Sequence, residues 1–400
     1  MLPGAPAVFW SLILASCAAD FSAFPEPPDV RPQGCEDQLA DPEGKDFKDL
    51  TASIIIPFKN ERWDHIKATV GSILHYTPNA LLNEIMFVSD GTSAEATFFN
   101  EIRELSPLIS FVAFPAPGEG LILAKMRAVG AASLKSKVLI FLEPHTIVNR
   151  DWIQPLLRRI RQQPRVLAMP ALDVIPPENF SQYQAGSPGN WRFEWNLNLI
   201  YTNPAEMESW TADPMPSPAT SGGIFAIRKD WWRKLSFYDP GMKGWGGDHV
   251  EATMKVWRCG GRIEVLPCSR IGHMFRDPVD RPYNVNVKQV IRNYARMAGT
   301  WFDEYIEDFY KVKPDAREIS MGNITKQLAL REHLKCKDMK WYLENVDKEM
   351  LWEKDHICIP GCRDTPGVAC CENAAIRSTI DRIMPVAEYR PIAKEIHLEL

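Results

Sequence analysis

The sequence lacks the signatures of several large functional classes. It contains no Walker loop, no Gly-x-Gly-x-x-Gly fingerprint, no Gly-x-Ser-x-Gly elbow and no His-Glu-x-x-His run. Its 46 basic and 51 acidic residues leave a net charge of only -5. This small net charge gives no indication of a nucleic-acid or polyanion partner. These absences argue against P-loop hydrolases, dinucleotide-binding oxidoreductases, α/β-hydrolases, zincin proteases and nucleic-acid-binding proteins.

Long hydrophobic runs are also scarce. Residues 7–19 form one apolar run, and no other segment approaches the ~18 consecutive apolar residues that suit a membrane-spanning helix. This run is too short for a comfortable span and ends in small residues, although no basic region precedes it. We therefore expect residues 1–19 to be a signal peptide. A short uncleaved anchor and a bacterial lipobox at residues 14–17 are the alternatives, and either way the chain enters the secretory route.

The overall composition is that of a globular chain with a substantial core. Hydrophobic residues make up 45% of the 400 residues and charged residues 24%. This length suits one large α/β domain with appendages or two ordinary domains. The 32 prolines exceed average usage, and one group of them marks residues 20–50 as a Pro-rich leader.

Nine cysteines favour an oxidising compartment. Four of them are clustered near the carboxyl terminus, at Cys358, Cys362, Cys370 and Cys371. A zinc site is one interpretation, but zinc ligands are more often spaced two to four residues apart in both pairs. A small disulfide knot is therefore the favoured interpretation of the cluster. Two N-glycosylation patterns, beginning at Asn179 and Asn323, agree with a glycoprotein of the secretory route.

Short apolar runs alternate with amphipathic segments in the first half of the chain. Strands are predicted over residues 53–57, 84–88 and 137–142, and helices over residues 63–77, 94–105, 121–132 and 152–161. Alternation of this kind predicts an α/β fold with a mostly parallel central sheet flanked by helices. Ligands of such sheets bind at the carboxyl ends of the strands.

Polar residues follow the predicted strands at those ends. Asp90 follows the second strand, and Glu143 and His145 follow the third. A carboxylate and an imidazole two residues apart in an extended segment point to the same side and can share a cation. The alternative is a turn carboxylate beside a hydrogen-bonded histidine.

Two downstream segments carry further polar side chains. Asp248 follows Trp245 and a glycine pair, where the backbone can approach a ligand and a carboxylate can accept sugar hydroxyls. A tight turn before a helix is the alternative. His273 and Arg276 lie three residues apart, and an arginine near a metal is the usual companion of a diphosphate leaving group.

An ordered series of blocks resembles the catalytic domain of the polypeptide N-acetylgalactosaminyltransferases. The resemblance extends from about Cys35 to Val346, or 312 of the 400 residues. The blocks are Asp29-Val-Arg31, Ile56-Pro-Phe-Lys-Asn-Glu61, Phe141-Leu-Glu-Pro-His145, Ser221-Gly-Gly-Ile-Phe-Ala226, Tyr238-Asp-Pro-Gly-Met242, Trp245-Gly-Gly247, Val256-Trp-Arg-Cys-Gly-Gly261, residues 264–276, Gly322-Asn-Ile324 and Lys340-Trp-Tyr-Leu-Glu-Asn-Val346.

This resemblance implies a GT-A-type nucleotide-sugar-binding fold over residues 51–346. It implies a retaining glycosyltransferase that uses manganese to move GalNAc from UDP-GalNAc to Ser or Thr hydroxyls of polypeptides, starting mucin-type O-glycosylation. The expected location is the Golgi lumen or the secreted fraction, with membrane attachment only through the N-terminal segment. Residues 347–400 would be a Cys-containing extension, since about fifty residues are too few for the lectin domain that the family usually carries.

The resemblance also implies a role for individual residues. Asp248 and Arg276 would be catalytic, with Arg276 gripping the diphosphate. The metal ligands would be Glu143, His145 and His273. The substrate-binding residues would be Asp90 by the uridine, Gly222, Gly223 and Trp245 along the donor sugar, Tyr283 on a mobile loop, and Phe275 toward the acceptor. The implied disulfides join Cys35 to Cys268 and Cys259 to Cys336.

Several positions depart from the family pattern. They are Glu143 in place of a metal-binding Asp, Ser89-Asp90 in place of two aspartates, Gly118, Leu123 and Lys125 in place of arginines, Asp248-His249 in place of Glu-Asn, and two extra residues between Arg276 and Tyr283. Two alternatives therefore stay open: a transferase of another UDP-sugar, and an inactive secretory binding protein. The acceptor groove is expected around Phe275, Trp191 and Trp195, unless these tryptophans belong to the core.

Overall fold

The computed structural model describes residues 26–38, 45–89, 98–112, 136–179, 182–203, 206–275 and 285–355. The strands are β1 (Ala52–Phe58), β2 (Leu82–Ser89), β3 (Ile109–Val112), β4 (Val138–Phe141), β5 (Thr146–Val148), β6 (Val166–Val174), β7 (Asn190–Phe193), β8 (Leu199–Thr202), β9 (Met215–Pro216), β10 (Phe225–Arg228) and β11 (Arg262–His273). The helices are α1 (Trp63–Tyr76), α2 (Phe99–Glu104), α3 (Ile153–Gln162), α4 (Lys229–Lys234), α5 (Asp248–Arg258), α6 (Val287–Trp301), α7 (Ile306–Val312), α8 (Asp315–Glu318), α9 (Thr325–His333), α10 (Met339–Asn345) and α11 (Lys348–Asp355). Short 3-10 turns cover Glu36–Gln38, Lys45–Leu50 and Asp303–Tyr305.

The central sheet has the strand order β3-β2-β1-β4-β10-β6-β11-β5, with β9 paired to β11. Strands β3, β2, β1 and β4 are parallel neighbours, as are β6 and β11. Strand β10 lies antiparallel between β4 and β6, and β5 runs antiparallel to β11. The predicted α/β fold with a mostly parallel sheet is confirmed, with an antiparallel insertion that the sequence did not predict. A small second sheet pairs β7 with β8.

The three predicted strands match β1, β2 and β4. The helix predicted to end before Pro78 is α1, and its last residue is Tyr76. Thr77 is extended, because a residue that precedes proline avoids the helical region. Helix α3 matches the predicted segment 152–161, and the described part of segment 94–105 holds α2. The predicted segment 121–132 lies outside the described residues.

Hydrophobic side chains fill both faces of the sheet. Within β1, Ile55 belongs to one core cluster, whereas Ile54 and Ile56 belong to the cluster on the other face. This alternation follows from the two-residue period of a strand. A strand buried on both faces shows a continuous apolar run in sequence. Helices therefore cover the sheet on both sides, and its strand ends are left for ligands.

Trp195 is a core residue. Its side chain is 3% exposed, and its Nε1 donates a hydrogen bond of 2.9 Å to the carbonyl of Met350. The rings of Phe302 and Tyr305 pack against it. The prediction that Trp195 lines an acceptor groove is therefore wrong, and the alternative, a core role, is confirmed. Trp191 is half-buried, with its ring edge-on to a neighbouring tyrosine.

Two disulfides tie distant parts of the chain together. They join Cys35 to Cys268 and Cys259 to Cys336, the pairs that the family resemblance implies. Cys268 lies in β11, so the first bridge anchors the N-terminal segment to the central sheet. The clustered cysteines near the carboxyl terminus lie outside the described residues.

The residues that follow Val346 pack against the rest of the structure. Met350 of α11 is fully buried. Arg192 of β7 is 4% exposed, donates a hydrogen bond of 2.7 Å to Glu353, and pairs with Asp347 at 3.4 Å. The predicted boundary after residue 346 stays a prediction. Across the described segments, every helix is too short or too polar to cross a membrane.

Candidate active site

Strand register brings three predicted metal ligands to one edge of the sheet. Glu143 lies two residues beyond β4, His145 directly precedes β5, and His273 is the last residue of β11. Strands β5 and β11 are antiparallel, with His273 opposite Thr146. The next pair continues this register, since the Met274 N–H donates to the His145 carbonyl at 3.1 Å. The two histidines are therefore held on adjacent strand ends.

The three side chains converge on one point. Oε2 of Glu143 lies 3.0 Å from Nε2 of His145 and 2.8 Å from Nε2 of His273. One ligand atom from each residue lies within 4.8 Å of the other two, and all three side chains are half-buried. Mixed carboxylate and imidazole donors suit a divalent first-row metal such as manganese. The residues present therefore fit a metal site.

The same contacts shift the pKa values of two of these groups. Burial raises the pKa of Glu143, but hydrogen bonds from His145 and His273 outweigh burial and hold it well below its ordinary range. Burial lowers the pKa of His145, but the carboxylates of Glu143 and Glu61 outweigh it and raise the pKa above its ordinary value. Glu143 is thus an anion at neutral pH, and His145 holds its protons more firmly than a solvated histidine.

A glycine lies beside the Glu143 carboxylate. Antiparallel pairing of β10 with β4 places Phe225 opposite Phe141, which brings Gly223 opposite Glu143. A Cβ atom at Gly223 would come within 2.1 Å of Glu143 Oε1. The preceding glycine, Gly222, has a φ of +97°, and a Cβ there would meet only His249 at 3.6 Å. The glycine pair therefore lets the backbone run directly past the carboxylate.

We expect Gly223→Ala to weaken metal binding with little change in stability. The new methyl would push the half-exposed Glu143 carboxylate out of line with the two histidines, because its end is flexible and can move. Loss of the contacts that orient a metal ligand typically lowers metal affinity about 10- to 100-fold, and we expect an effect of this size. Calorimetric manganese titration and the thermal unfolding midpoint measure the two effects. Gly222→Ala is the matched control, since it adds backbone strain without touching Glu143. Wild-type metal affinity in Gly223→Ala would contradict this account.

The loop before α5 is held by a side chain that the sequence did not single out. The Asn293 amide, on α6, donates to the carbonyls of Lys243 and Gly246 at 2.8 Å and accepts from the Lys243 N–H at 3.2 Å. Gly246 and Gly247 have φ values of +88° and +91°, a region that favours glycine. These bonds fix the turn that carries Trp245 and leads into α5.

The remaining predicted residues fall into three groups. Trp245 is 37% exposed and Phe275 is 45% exposed, and both present large aromatic surface. The Phe275 ring lies edge-on to His273, with centroids 4.3 Å apart, so it borders the metal-ligand cluster. Asp248 begins α5 and is 6% exposed. Outside the described residues lie Asp90, Arg276 and Tyr283.

A buried carboxylate behind the cluster was also not singled out for any role. Oε2 of Glu61 lies 3.1 Å from Nδ1 of His145, the ring nitrogen opposite the one that faces Glu143. Glu61 is 5% exposed and immediately precedes the N-cap of α1. Glu61 ends one of the blocks that resemble the family, but it is separated from His145 by 84 positions, and no local pattern predicts their contact.

Comparison with sequence families agrees with this fold. The profile of glycosyl transferase family 2 matches residues 53–235. A second profile, described as the N-terminal domain of galactosyltransferase, matches residues 206–277. Together they cover the central sheet and the segments that carry the three converging side chains.

Curated relatives match over most of the chain. Human polypeptide N-acetylgalactosaminyltransferase 13 is 32% identical over 86% of this chain and 62% of its own length. Rat polypeptide N-acetylgalactosaminyltransferase 10 is 36% identical over 80% of this chain and 52% of its own. The inactive polypeptide N-acetylgalactosaminyltransferase-like protein 5 of Macaca fascicularis is 34% identical over 75% and 68%. The chain thus spans about half to two thirds of the length of these relatives.

A solved structure matches the fold. The crystal structure of GalNAc-T7 with UDP, GalNAc and Mn²⁺ superposes with a TM-score of 0.69 at 30% sequence identity. The match covers 76% of this chain and 58% of the other.

Proposed function

This chain belongs to the polypeptide N-acetylgalactosaminyltransferase family, and from that premise we propose that it transfers GalNAc from UDP-GalNAc to Ser or Thr hydroxyls of polypeptides. The reaction retains configuration, starts mucin-type O-glycans and uses manganese. The observation that carries the proposal is the convergence of Glu143, His145 and His273 within 4.8 Å at the sheet edge. Relatives at 32–36% identity that bear the name of this activity support it.

The metal would be held by a Glu143 carboxylate oxygen and by Nε2 of His145 and His273. When bound, the cation would draw negative charge from the departing diphosphate. Beside it, the backbone of Gly222 and Gly223 would line the donor sugar.

Other residues would bind the donor and the acceptor. On the donor side, the Asp248 carboxylate would accept a hydrogen bond from a sugar hydroxyl, and Trp245 would cover the sugar. Arg276 would share the diphosphate charge, while Asp90 would contact the uridine and Tyr283 would close over the donor. On the acceptor side, the exposed Phe275 ring offers flat apolar contact to a peptide at the border of the metal-ligand cluster.

A second candidate function is binding without turnover. The observation that favours it is the relative from Macaca fascicularis that is named inactive, 34% identical over 75% of this chain. Glu143 stands where the family resemblance implies a shorter aspartate, so the geometry around the cation differs by one methylene. In this alternative the chain would bind UDP with manganese and release no product.

A peptide transfer assay separates these functions. The purified chain is incubated with Ser- and Thr-containing peptides and with UDP-GalNAc, UDP-Gal or UDP-GlcNAc, with and without manganese. Mass spectrometry of the peptide detects transfer. A manganese-dependent gain of one N-acetylhexosamine from UDP-GalNAc supports the proposal. Preference for another donor would change the substrate, whereas tight UDP binding without transfer would establish the binding protein. Undiminished transfer in excess chelator would overturn the metal mechanism.

The cellular compartment of the chain follows from its disulfides and its family. The chain is a protein of the secretory pathway, where an oxidising lumen lets the two bridges persist. Within that pathway the Golgi lumen is the location that we propose, since acceptor polypeptides and UDP-sugars meet there.

Manganese affinity is expected to fall with acidity. Nε2 of His145 must lose its proton to bind a metal, and the neighbouring carboxylates raise the pKa of this histidine above its ordinary value of about 6.5. Affinity should therefore level off above the raised pKa and fall by at least about tenfold per pH unit below it. Glu143 adds no pH dependence to the manganese affinity near neutral pH, because its pKa lies well below its ordinary range. Calorimetry between pH 5.5 and 8.5 measures the profile, and a flat profile would contradict it.

A further inference from the structure

The back of the metal site is built from two residues that are one helical turn apart. Glu61 lies just before α1, and His65 lies in its first turn, so both project from the same side. Oε1 of Glu61 is 3.2 Å from Nδ1 of His65. Nε2 of His65 is 3.0 Å from the carbonyl oxygen of Pro177. Glu61 is 5% exposed and His65 is 1% exposed, so these contacts exclude water.

The acceptor-only partners indicate which ring nitrogens donate. A carbonyl oxygen only accepts, so Nε2 of His65 donates to Pro177. One proton is then shared between Nδ1 of His65 and Oε1 of Glu61. Whichever of these atoms holds it, Oε2 of Glu61 is left as an acceptor. That oxygen faces Nδ1 of His145 at 3.1 Å, which makes this nitrogen the donor and leaves Nε2 of His145 to face Glu143.

Helix α1 is docked on the strand that follows His145. The Thr146 N–H donates to the Thr69 hydroxyl at 3.1 Å, and the Val148 N–H donates to the Ser72 hydroxyl at 3.1 Å. Both hydroxyls belong to α1 and both amides belong to β5. The helix that carries Glu61 and His65 is therefore fixed relative to the backbone of His145.

We propose that His65, acting through Glu61, positions the His145 ring so that its Nε2 is presented to the cation. His65 is thus a positioning residue behind the ligand set, and this inference rests on the metal site of the proposed function. Such partners of metal-binding histidines typically change metal affinity about 10- to 100-fold when they are lost.

Manganese binding to the full chain tests the proposal without any sugar donor. Electron paramagnetic resonance measures free and bound Mn²⁺ for the wild type, His65→Phe, Glu61→Leu and the double variant. His65→Phe keeps an aromatic ring but removes both hydrogen bonds, and we expect its Kd to rise about 10-fold or more. His75→Phe is the matched control, because it removes an exposed imidazole from the same helix. Its Kd should equal that of the wild type.

The double variant tests whether His65 acts through Glu61. If it does, the combined loss should nearly equal that of Glu61→Leu alone, since interacting residues are not additive. Additive losses, or a wild-type Kd in His65→Phe, would overturn the proposal. Thermal unfolding in EDTA checks the fold of each variant. If His65→Phe does not fold, His65→Gln replaces it. The glutamine side chain retains one N–H donor, so this variant should bind Mn²⁺ more weakly than the wild type. An unchanged Kd would overturn the positioning role.

The outcomes distinguish this inference from the proposed function. A wild-type chain that binds no Mn²⁺ would overturn both. A wild type that binds Mn²⁺ and transfers GalNAc, beside a His65→Phe variant with the same Kd, would overturn the positioning role alone. Weaker Mn²⁺ binding in His65→Phe, with no transfer by the wild type, would support the positioning role and leave the chain a metal-dependent binding protein.

Discussion

Replacing His273 with alanine is expected to abolish metal-dependent transfer and leave the fold intact. The imidazole is one of three converging ligands, and its side chain is 13% exposed. The backbone bond from Ile175 N–H to the His273 carbonyl, 3.0 Å long, does not involve the side chain. A metal contributes several kcal/mol to stabilising the leaving charge, so the rate should fall on the order of 10³-fold. Peptide glycosylation rates and manganese titration measure the loss.

His333→Ala provides the control for this variant. His333 is exposed at the end of α9, so its loss removes an imidazole that could bind metal adventitiously. Its transfer rate and unfolding midpoint should match those of the wild type. If His273→Ala retained full transfer with manganese still required, the cation would have to bind elsewhere, and the ligand assignment would be wrong.

Replacing Asp173 with alanine is expected to cost about 3–5 kcal/mol of folding free energy. Asp173 and Arg270 are fully buried, and the Arg270 guanidinium donates to both carboxylate oxygens. The Tyr183 hydroxyl and the Gly186 N–H donate to the same carboxylate at 2.7 and 2.8 Å. Removal of the carboxylate would leave a buried cation without this counter-ion. Denaturant unfolding measures the difference between the variant and the wild type.

Asp230→Ala is the matched control, because it breaks an arginine pair at the surface. The Asp230 side chain is 64% exposed and pairs with Arg228. Exposed pairs contribute about 0–1 kcal/mol, since water and salt screen them. Equal losses for the two variants would contradict the role of burial. Asp173 pairs with Gly272 in the β6–β11 register, so its loss should also loosen the end of β11 that carries His273.

The sequence predicted the part of the site that depends on local pattern. Apolar runs located β1, β2 and β4, and the two-residue spacing of Glu143 and His145 indicated a shared cation. His273 was assigned to the metal only through the family resemblance, because its closeness to the other two ligands depends on antiparallel pairing of β5 with β11. The two-residue side-chain period of a strand does not show whether its neighbour runs parallel or antiparallel to it. For the same reason β10 could not be predicted to run antiparallel between β4 and β6.

Contacts between distant segments were beyond the sequence for a related reason. Glu61 reaches His145 only because α1 docks on β5, and Asn293 reaches the Lys243–Gly246 turn only because α6 lies across it. Glu61 and Asn293 are single polar residues, one beside a helix and one within a helix. No local feature of the sequence distinguishes them from polar side chains that face solvent. Trp195 shows the converse, since an aromatic residue considered for a groove is held in the core by α11.

The ion pairs that Arg192 makes with residues after Val346 determine where a shorter version of this protein could end. A chain cut after residue 346 would keep every strand of the central sheet and all three converging ligands. It would lose Asp347, Glu349 and Glu353, the carboxylates that surround the guanidinium. It would also lose Met350, whose carbonyl accepts the Trp195 indole N–H. Such a fragment would bury the Arg192 cation without its counter-ions beside an opened core, so a shortened version of this protein should extend through residue 355.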